Sequence, residues 1–493
     1  MQLPISVRTS AGDPQKHLQE QIVRQITMLI ETGMLKPRDV LPATRQLSAQ
    51  LGVARNTVVL AYEALAREGF VETFGRGGTR VGSTLPRAYL NAQGRAQVRG
   101  VGPTSRPPSV AIELPNNASL YDPLRNQLRL DFRVGRPDRT LFPHRAWKRL
   151  VEERLHGAPL ALTEYGDPLG LAELRSTVAE RVRVSRGIVC SPDQVLIIAG
   201  VQEGLSLVAR LLIEPGCAVA VENPTYAGAA AVFTSHGATL VSCSVTDEGM
   251  DPSALPRSGA RLAYVTPSHQ FPLGPTMSLE NRIGLLEWAR RTGSYVVEDD
   301  YDGDFRYQGS PLMALAALDR SEHVIYLATF SKSLGAGLRL GYAIVPPSLA
   351  ARARVAKDLM NHGHSWLEQA VLADFLKSGA FDAHLRRIRM VYLERRDHLT
   401  AGIAHRFPQS VVLGVEGGMH LTWCLPGNAP PAHALQCNLL DRGVGVYSLR
   451  EGPALMLHPF EGCERILLLG YPCLERTKAE EALDLIAQEL GSM

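Results

Sequence analysis

The stretch VIYLATFSKSLGAGLRLGYAIV occupies residues 324–345 and decides the fold of most of this 493-residue chain. Its first six residues, VIYLAT, predict an apolar strand, and GYAIV at 341–345 predicts a second strand. A turn containing hydroxyl groups, Lys332, several glycines and Arg339 lies between them. A buried strand followed by a polar, glycine-rich turn is typical of the ligand-binding edge of an α/β sheet.

Short apolar runs continue on the N-terminal side of this stretch, and helical patterns separate them. These runs are VLIIA at 195–199, AVAVE at 218–222, RLAYVT at 261–266 and YVVED at 295–299. The alternation predicts a mostly parallel α/β sheet over the region from 116 onward. Gly200, directly after VLIIA, precedes a predicted helix whose first N–H groups can face an anion.

The polar residues after the two strands ending at 299 and 329 point to one kind of chemistry. Lys332 can form an imine with a carbonyl, while nearby hydroxyls and Arg339 suit a phosphate, so a phosphorylated carbonyl cofactor is predicted. Asp300, Asp302 and Asp304 alternate as in a calcium loop. That loop needs glycine at position 6 and a carboxylate at position 12, where this chain has Phe305 and Pro311. We therefore predict no metal site.

Residues 1–82 follow a different pattern. Apolar residues at helical spacing predict a helix over 17–33, a short helix capped by Thr44, and a third helix beginning at 54–55. FVETF, GRGG and TRV then predict a hairpin with a basic turn. Three helices and a hairpin form a winged helix-turn-helix, whose third helix presents its N-terminal turn to the major groove. The candidate DNA-binding residues on this pattern are Arg45, Arg55, Asn56, Thr57, Arg76 and Arg80.

Charge and composition agree with this division. Residues 1–112 carry 14 Lys/Arg and 7 Asp/Glu, a net charge of +7, whereas the remainder carries 38 and 42, a net charge of −4. A basic head attracts phosphate. Residues 83–115 are rich in Gly, Pro, Ser and Arg and predict a linker between domains 1–82 and 116–493. The scattered cysteines and the lack of a signal peptide or a long apolar run favour a cytoplasmic protein without membrane contact.

The segment LPATRQLSAQLGVARNTVVLAYEALAREGFVETFGRGGTRV at 41–81 resembles the DNA-binding domain of the GntR family of bacterial repressors. The resemblance implies that Arg45, Arg55, Thr57 and Gly78 occupy DNA-contact positions of that family.

Residues 120–490 resemble the fold-type I aminotransferases, which use pyridoxal 5′-phosphate and add a small C-terminal α+β lobe to a mostly parallel sheet. The resemblance implies that Lys332 is the Schiff-base lysine, that Asp299 meets the pyridine nitrogen and that Tyr301 lies near the ring hydroxyl. It also implies a role in phosphate or ring binding for Tyr226, Val201, Gln202, Thr329, Ser331 and Arg339, and for Tyr165 across a dimer interface.

Two departures separate this chain from the enzymes. Phe271 occupies the position of a cofactor-binding asparagine, and His269 is a candidate to replace it. The strand ILLLGY at 466–471 lacks the arginine that binds a substrate carboxylate, and Arg450 or Arg465 is a candidate substitute. We take Arg450 as the predicted effector-binding residue.

The two halves together resemble the MocR subfamily of GntR-type regulators. That resemblance implies a domain-swapped homodimer that binds double-stranded operator DNA and senses an amine, an amino acid or the cofactor itself through imine exchange at Lys332. The chain is then a transcription factor and not an enzyme. The alternative that stays open is a working aminotransferase with an appended DNA-binding domain.

Overall fold

The computed structural model describes residues 3–7, 14–74, 78–82, 128–156, 160–308, 313–450 and 452–491. The chain divides into two compact units, residues 1–111 and 112–493. The predicted linker at 83–115 lies outside the described residues, so its boundaries stay a prediction. No helix among the described residues is long and apolar enough to cross a membrane.

The first unit contains three helices and a hairpin. They are α1 (Pro14–Glu31), α2 (Thr44–Leu51), α3 (Arg55–Arg67), β1 (Val71–Phe74) and β2 (Gly78–Val81). The two strands pair antiparallel. This order of elements is the predicted winged helix-turn-helix.

The apolar spacing of α1 and α3 explains their packing. Ile22, Ile26 and Val58 are fully buried in one shared core, and the hydroxyl of Tyr62 donates to the carbonyl of Pro42 at 2.8 Å. One local prediction was wrong, because α2 begins at Thr44 and has Ala43 at its N-cap, without a side-chain cap.

The second unit is built on a large central sheet. Its strands and those around it are β3 (Leu130–Asp131), β4 (Val195–Ile198), β5 (Ala218–Asn223), β6 (Thr225–Tyr226), β7 (Thr239–Thr246), β8 (Gly249–Met250), β9 (Leu262–Val265), β10 (Tyr295–Asp300), β11 (Val324–Thr329), β12 (Gly341–Ile344), β13 (Val411–Leu413), β14 (His420–Cys424), β15 (Val444–Gly445), β16 (Tyr447–Ser448), β17 (Ala454–Leu455) and β18 (Ile466–Gly470).

Eight of the described strands form this sheet in the order β4-β12-β11-β10-β9-β5-β7-β8. The pairs from β11 through β10, β9 and β5 to β7 are parallel, whereas β12 runs antiparallel to both β11 and β4. All six predicted strands are present, and the mostly parallel sheet is confirmed. Alternate residues face two separate hydrophobic clusters: Ile197 packs into one, and Leu196 and Ile198 into the other. Burial on both faces explains why these strands are continuous apolar runs.

Helices cover the sheet and build the C-terminal lobe. They are α4 (His144–His156), α5 (Ala172–Ser185), α6 (Val201–Leu212), α7 (Ala227–Ser235), α8 (Leu279–Thr292), α9 (Leu315–Leu318), α10 (Pro347–Asn361), α11 (Trp366–Lys377), α12 (Ala380–Arg406), α13 (Ala432–Asp441) and α14 (Arg476–Gly491).

The C-terminal lobe contains a second sheet, with the order β13-β14-β18-β16 among the described strands. The short strand β3 pairs parallel with β15 of this lobe, and Phe132 donates its N–H to the carbonyl of Gly445 at 2.9 Å. This pairing anchors β3 on the C-terminal lobe. Residues 134–135, shortly after β3, lie at the edge of the large sheet where the strands end.

Candidate cofactor cavity and nucleic-acid interface

A cavity of about 210 Å³ lies at the carboxyl edge of the large sheet. Its wall combines residues that follow three strands: Gly200 after β4, Tyr301 after β10 and Lys332 after β11. Carboxyl ends of strands in an open α/β sheet converge on one edge, which is where ligands bind. The sequence positions of the predicted site residues are distant, but the fold brings most of them to this one cavity.

Lys332 lies in a π-helical turn, Ser331–Gly335, which begins two residues after β11. Its Nζ donates to the carbonyl of Gly135 at 2.9 Å. A Cβ on Gly135 would lie 2.6 Å from that Nζ, and its φ is +72°, so the position requires glycine. Burial lowers the pKa of Lys332, and the negative charges of Asp302 and Asp299 oppose that change. A lowered pKa increases the fraction of free amine, which is the nucleophilic form.

Asp299 is the fifth residue of β10 and is 3% exposed. Its Oδ2 accepts a hydrogen bond from the hydroxyl of Tyr264 at 2.8 Å, while its Oδ1 has no partner among the described residues. Burial raises the pKa of Asp299 to about 7, although the Tyr264 hydrogen bond acts in the opposite direction. A cationic N–H donor placed against Oδ1 would satisfy the unpaired oxygen and favour the ionised carboxylate.

The opposite end of the cavity is shaped for an anion. Helix α6 begins at Val201, and the N–H of Glu203 donates to the carbonyl of the N-cap residue Gly200 at 3.1 Å. The N–H groups of Val201 and Gln202 come before the first residue that can find an acceptor within the helix. Gly200 has a φ of +98°, and a Cβ there would lie 3.2 Å from a guanidinium nitrogen of Arg339. Arg339 itself has a φ of +52°, a strained conformation for a non-glycine residue. This backbone conformation occurs where the arginine lines the cavity.

Thr329 and Ser331, just before Lys332 in the chain, add two hydroxyl groups to the cavity. The Thr329 hydroxyl donates to the Ser331 hydroxyl at 2.9 Å and accepts from the Ser331 N–H at 3.0 Å. Both residues line the cavity, as predicted from the sequence pattern. Their hydroxyls supply polar contacts beside the helix N-terminus of α6.

Aromatic rings form the remaining wall. Tyr226 accepts a hydrogen bond from the side chain of Gln202 at 3.3 Å, and its ring lies 6.0 Å from that of Phe271 in a T-shaped arrangement. Phe271 packs in the same way on Tyr301, with ring centroids 5.9 Å apart. Tyr226, Tyr301 and Phe271 therefore provide apolar surfaces suited to a flat ring.

Three predicted residues lie outside the described wall of the cavity. His269 is 5% exposed and lies behind Tyr301, whose hydroxyl is 3.0 Å from its Nδ1. Tyr165 is 88% exposed, with its ring 5.6 Å from that of His362. Arg450 is exposed beyond β16. His269 therefore does not occupy the place of the missing asparagine on the wall, since it contacts the cavity only through Tyr301.

The sequence reasoning did not single out Gly135, Tyr264 or Glu203. Tyr264 had a recognisable signal, namely a polar-tipped aromatic residue near the end of an apolar strand. Gly135 had none, because β3 is only two residues long and pairs with a strand more than 300 positions away. Glu203 lies in the first turn of α6, where its Oε2 accepts from the N–H of Ala199 at 2.5 Å.

The candidate nucleic-acid interface lies at the N-termini of α2 and α3. Arg45, Arg55 and Asn56 are exposed, and the Nε of Arg55 donates to the hydroxyl of Thr44 at 3.4 Å. Thr57 is only 2% exposed, which corrects the prediction for its side chain, because it faces the core and not a groove.

On the wing, Gly78 begins β2 with a φ of +81°, a left-handed conformation that favours glycine. Arg76 lies outside the described residues. Arg80 is exposed on β2, and its guanidinium lies 5.9 Å from the centre of the Phe74 ring.

Comparison with known proteins gives two family matches. Residues 130–484 match the aminotransferase class I and II family, and residues 18–81 match the gntR family of bacterial regulatory proteins. Among solved structures, an archaeal alanine:glyoxylate aminotransferase is 25% identical with a TM-score of 0.69, covering 75% of this chain and 92% of that chain. The α-aminoadipate aminotransferase LysN from Thermus thermophilus, complexed with N-(5′-phosphopyridoxyl)-L-leucine, is 28% identical with a TM-score of 0.65, covering 76% of this chain and 95% of that chain.

Several relatives that cover most of this chain carry the names of regulators. The probable rhizopine catabolism regulatory protein MocR of Rhizobium meliloti is 37% identical over 77% of this chain and 76% of its own length. The HTH-type transcriptional regulator TauR of Rhodobacter capsulatus is 32% identical over 99% of this chain and 100% of its own length. The pyridoxine biosynthesis regulator PdxR of Corynebacterium glutamicum is 31% identical, with 87% of each chain covered.

The fold and the cavity thus define a fold-type I aminotransferase domain in a chain that also carries a winged helix-turn-helix of the GntR family. The chain belongs to the MocR-type transcriptional regulators of that family.

The residues of the cavity fit pyridoxal 5′-phosphate, the cofactor of this fold. The unpaired Oδ1 of Asp299 is available to a pyridinium N–H, and the glycine-lined start of α6 with Arg339 is available to a phosphate. Lys332 is the primary amine between them.

Proposed function

We propose that this chain is a pyridoxal-phosphate-dependent transcriptional regulator. Its winged helix-turn-helix binds operator DNA, and its aminotransferase-like domain responds to a small amine or amino-acid-type effector, or to the level of the cofactor. The observation that carries this proposal is the position of Lys332, a half-buried amine in the same cavity as the unpaired carboxylate oxygen of Asp299.

The cavity residues have separable tasks. When bound, pyridoxal phosphate supplies an aldehyde that combines with a primary amine, so an effector amine competes with Lys332 for it. Asp299 orients the ring and holds the proton on its nitrogen, while Arg339, Thr329 and Ser331 hold the phosphate. A Lys332 released by the effector is again a free amine, the form that donates to the carbonyl of Gly135, next to the strand that pairs with the C-terminal lobe. Such a change regulates DNA binding only if the effector prefers one arrangement of the DNA-binding heads.

A homodimer supplies two DNA-binding domains for one operator, and we propose that the chain forms a domain-swapped homodimer. Tyr165 supports it, because a large aromatic residue that is 88% exposed is suited to reach a cavity of a second copy. A monomer at working concentrations, measured by light scattering, would contradict this part of the proposal.

A working aminotransferase is the second candidate, since the cavity holds the lysine, aspartate and arginine together. Two features favour the regulator. Phe271 replaces an asparagine on the wall, and Lys332 and Arg339 are the only basic side chains among the described wall residues, so an effector carboxylate finds no further arginine there. Arg450 stays a proposal for that role, reached only if the exposed loop beyond β16 moves.

The decisive experiment follows the visible absorbance of the cofactor-loaded protein while candidate amines are added, together with a gel-shift assay on the upstream region of its own gene. If the chain is a regulator, the same amine changes its absorbance spectrum and its DNA affinity, and no sustained turnover follows. Sustained turnover of an amino donor and a keto acid would favour the enzyme, and a protein that takes up no cofactor would refute both.

Alanine substitutions at Arg55 and Arg45 test the DNA interface. Arg55 lies at the first position of α3, where a base contact is expected, so Arg55→Ala should weaken operator binding about tenfold to a hundredfold and relax sequence preference. Arg45→Ala should weaken binding to all duplexes and reduce the slope of log affinity against log salt by about one, because it removes a phosphate contact. Fluorescence anisotropy over a salt series measures both effects.

Arg67→Ala is the matched control, since Arg67 is equally exposed at the opposite end of α3. Equal losses for Arg55→Ala and Arg67→Ala would mean that the N-terminal turn of α3 is not the reading surface.

A further inference from the structure

Behind the cofactor cavity lies a buried cluster of Tyr301, His269, Asp302 and His420 that the proposed function does not use. The Nδ1 of His269 is 3.0 Å from the hydroxyl of Tyr301 and 3.0 Å from Oδ2 of Asp302. Asp302 is 2% exposed and His420 is fully buried. Only Tyr301 of these four lines the cavity.

The hydrogen-bond partners fix where the proton of His269 resides. A carboxylate can only accept, so Asp302 requires a proton on Nδ1. The Nε2 of His269 has no partner in the described part of the chain, and a proton there would be a buried donor without an acceptor. Both arguments give the tautomer with hydrogen on Nδ1 and a bare lone pair on Nε2.

The ring of His269 is held tightly in this orientation. A Cβ on Gly418 would lie 2.2 Å from its Nδ1, and a Cβ on Gly414 or Gly274 would lie 3.1 or 3.4 Å from its Nε2. Gly414 and Gly418 lie between β13 and β14 in the C-terminal lobe, whereas Gly274 belongs to the sheet domain. The imidazole therefore lies between the sheet domain and the C-terminal lobe. The backbone of these three glycines approaches the ring so closely that it has no room to turn.

We propose that Asp302 and His269 are a positioning pair that directs the hydroxyl hydrogen of Tyr301 into the cofactor cavity. With Nδ1 already protonated, the imidazole cannot accept from Tyr301, so the hydroxyl hydrogen is left to the carboxylate of Asp302 or to a negatively charged oxygen on the bound ring. The inference rests on the proposed function, because it requires pyridoxal phosphate at Lys332. Asp302 and His269 touch neither the ring nor Lys332.

Burial and the neighbouring charges determine the direction in which the pKa values of Tyr301 and His420 change. Burial, followed by the charge of Asp302 and a hydrogen bond to it, raises the pKa of Tyr301 far above its usual value, so the phenol keeps the proton that it donates. Burial, together with the neighbouring His269, lowers the pKa of His420 to about 3, so this ring is neutral, and its Nε2 donates to the carbonyl of Pro272 at 2.9 Å. Lys332, Asp299 and Glu222 are the other titratable groups that act on this cluster.

A metal ion is the rival explanation for two imidazoles and a carboxylate. Their ligand atoms lie within 4.8 Å of one another. The ligands of a tetrahedral zinc ion, bound at about 2.0–2.1 Å, lie roughly 3.4 Å apart, so the cluster would have to contract around an ion. The hydrogen bonds of His269 and Asp302 need no such movement.

The substitution Asp302→Asn separates the effect of the His269 tautomer from the effect of the Asp302 charge, because the two effects move the pH midpoint of the cofactor absorbance in opposite directions. An asparagine no longer requires a proton on Nδ1, so the imidazole proton can move to Nε2 and Nδ1 can accept from Tyr301. This draws the hydroxyl hydrogen away from the ring oxygen and raises the pH midpoint of the visible absorbance of the bound cofactor. We expect a rise of about one pH unit. Loss of the negative charge alone would lower the midpoint, since that charge favours the cation at Lys332.

The test is a spectrophotometric pH titration of the cofactor-loaded full chain. Tyr301→Phe should give a larger rise than Asp302→Asn, which also loses the negative charge, and the double variant should show no rise beyond that of Tyr301→Phe, because the pair acts through Tyr301. Asp304→Asn is the matched control, since Asp304 lies in the same loop but faces Arg181 at 3.8 Å, and its midpoint should equal that of the wild type.

His269 supplies an independent pair of variants that keeps the proposal testable if Asp302→Asn does not fold. His269→Asn places an amide near Nδ1 and should keep the wild-type midpoint, whereas His269→Gln places it near Nε2 and should raise the midpoint. An unchanged or lowered midpoint for Asp302→Asn or His269→Gln would overturn the proposal, as would one equivalent of bound metal by elemental analysis. Failure of the wild type to bind the cofactor would refute the proposed function instead.

Discussion

Replacing Lys332 by alanine is expected to abolish the response of operator binding to the effector and the borohydride-fixed attachment of pyridoxal phosphate. Lys332 is the only primary amine among the described wall residues of the cavity, and no neighbour on that wall can form the same bond. The phosphate and pyridine contacts remain, so the variant should still bind the cofactor reversibly. Mass spectrometry after borohydride reduction and a gel shift with and without effector measure the two losses.

Two further variants make this result specific. Lys332→Arg keeps a positive charge but offers no amine for an imine, so it should behave as Lys332→Ala does. Lys377→Ala removes a half-exposed lysine that is paired with Glu173 at 2.7 Å, and it should respond as the wild type does. A normal effector response from Lys332→Ala would exclude competition for the aldehyde as the sensing step.

Of the substitutions considered, Glu203→Gln is expected to lower the free energy of unfolding most, because Glu203 joins the anion-binding turn at the start of α6 to helix α10. Its Oε1 lies 2.6 Å from the Nζ of the fully buried Lys357, and its Oε2 lies 2.8 Å from Nε2 of His364. Burial would raise the pKa of Glu203, but the hydrogen bonds from His364, Lys357 and the Ala199 N–H outweigh it and lower the pKa from 4.5 to about 2. A carboxyl with that change stabilises the folded state by roughly 3 kcal/mol at neutral pH.

Breaking the pair also leaves the charge of Lys357 buried without its partner, so a loss of about 3–5 kcal/mol in unfolding free energy is expected for Glu203→Gln. Chemical denaturation at pH 7 measures this loss. Glu214→Gln is the matched control, because its pair with Arg261 is exposed, and a change of about 0–1 kcal/mol is expected. Similar losses for the two variants would contradict a structural role for the buried pair.

The pH dependence of this contribution has a defined sign. The folded-state pKa of Glu203 is lower than the unfolded one, so its contribution is complete above about pH 4.5 and disappears as the pH falls towards 2. The difference in unfolding free energy between wild type and Glu203→Gln should therefore shrink over that interval. A constant difference down to pH 2 would show that the carboxylate charge is not its source.

The sequence alone determined the large features of this protein. Periodicity predicted the helices of the head and the six strands of the body, since local apolar spacing decides which face of an element is buried. The pattern after the strand ending at 329 predicted Lys332 and Arg339 for one site, because strands in a mostly parallel sheet end at a common edge, and the resemblance to the aminotransferases added Asp299. All three line one cavity.

Tertiary structure alone decided what surrounds those residues. Gly135 reaches Lys332 through a two-residue strand that pairs across more than 300 positions, and His269 lies behind Tyr301, not in the cavity. Thr57 belongs to a recognisable motif, yet its side chain faces the core. Local sequence fixes the type of an element and its buried face, but which distant backbone approaches a given side chain depends on the packing of the whole domain.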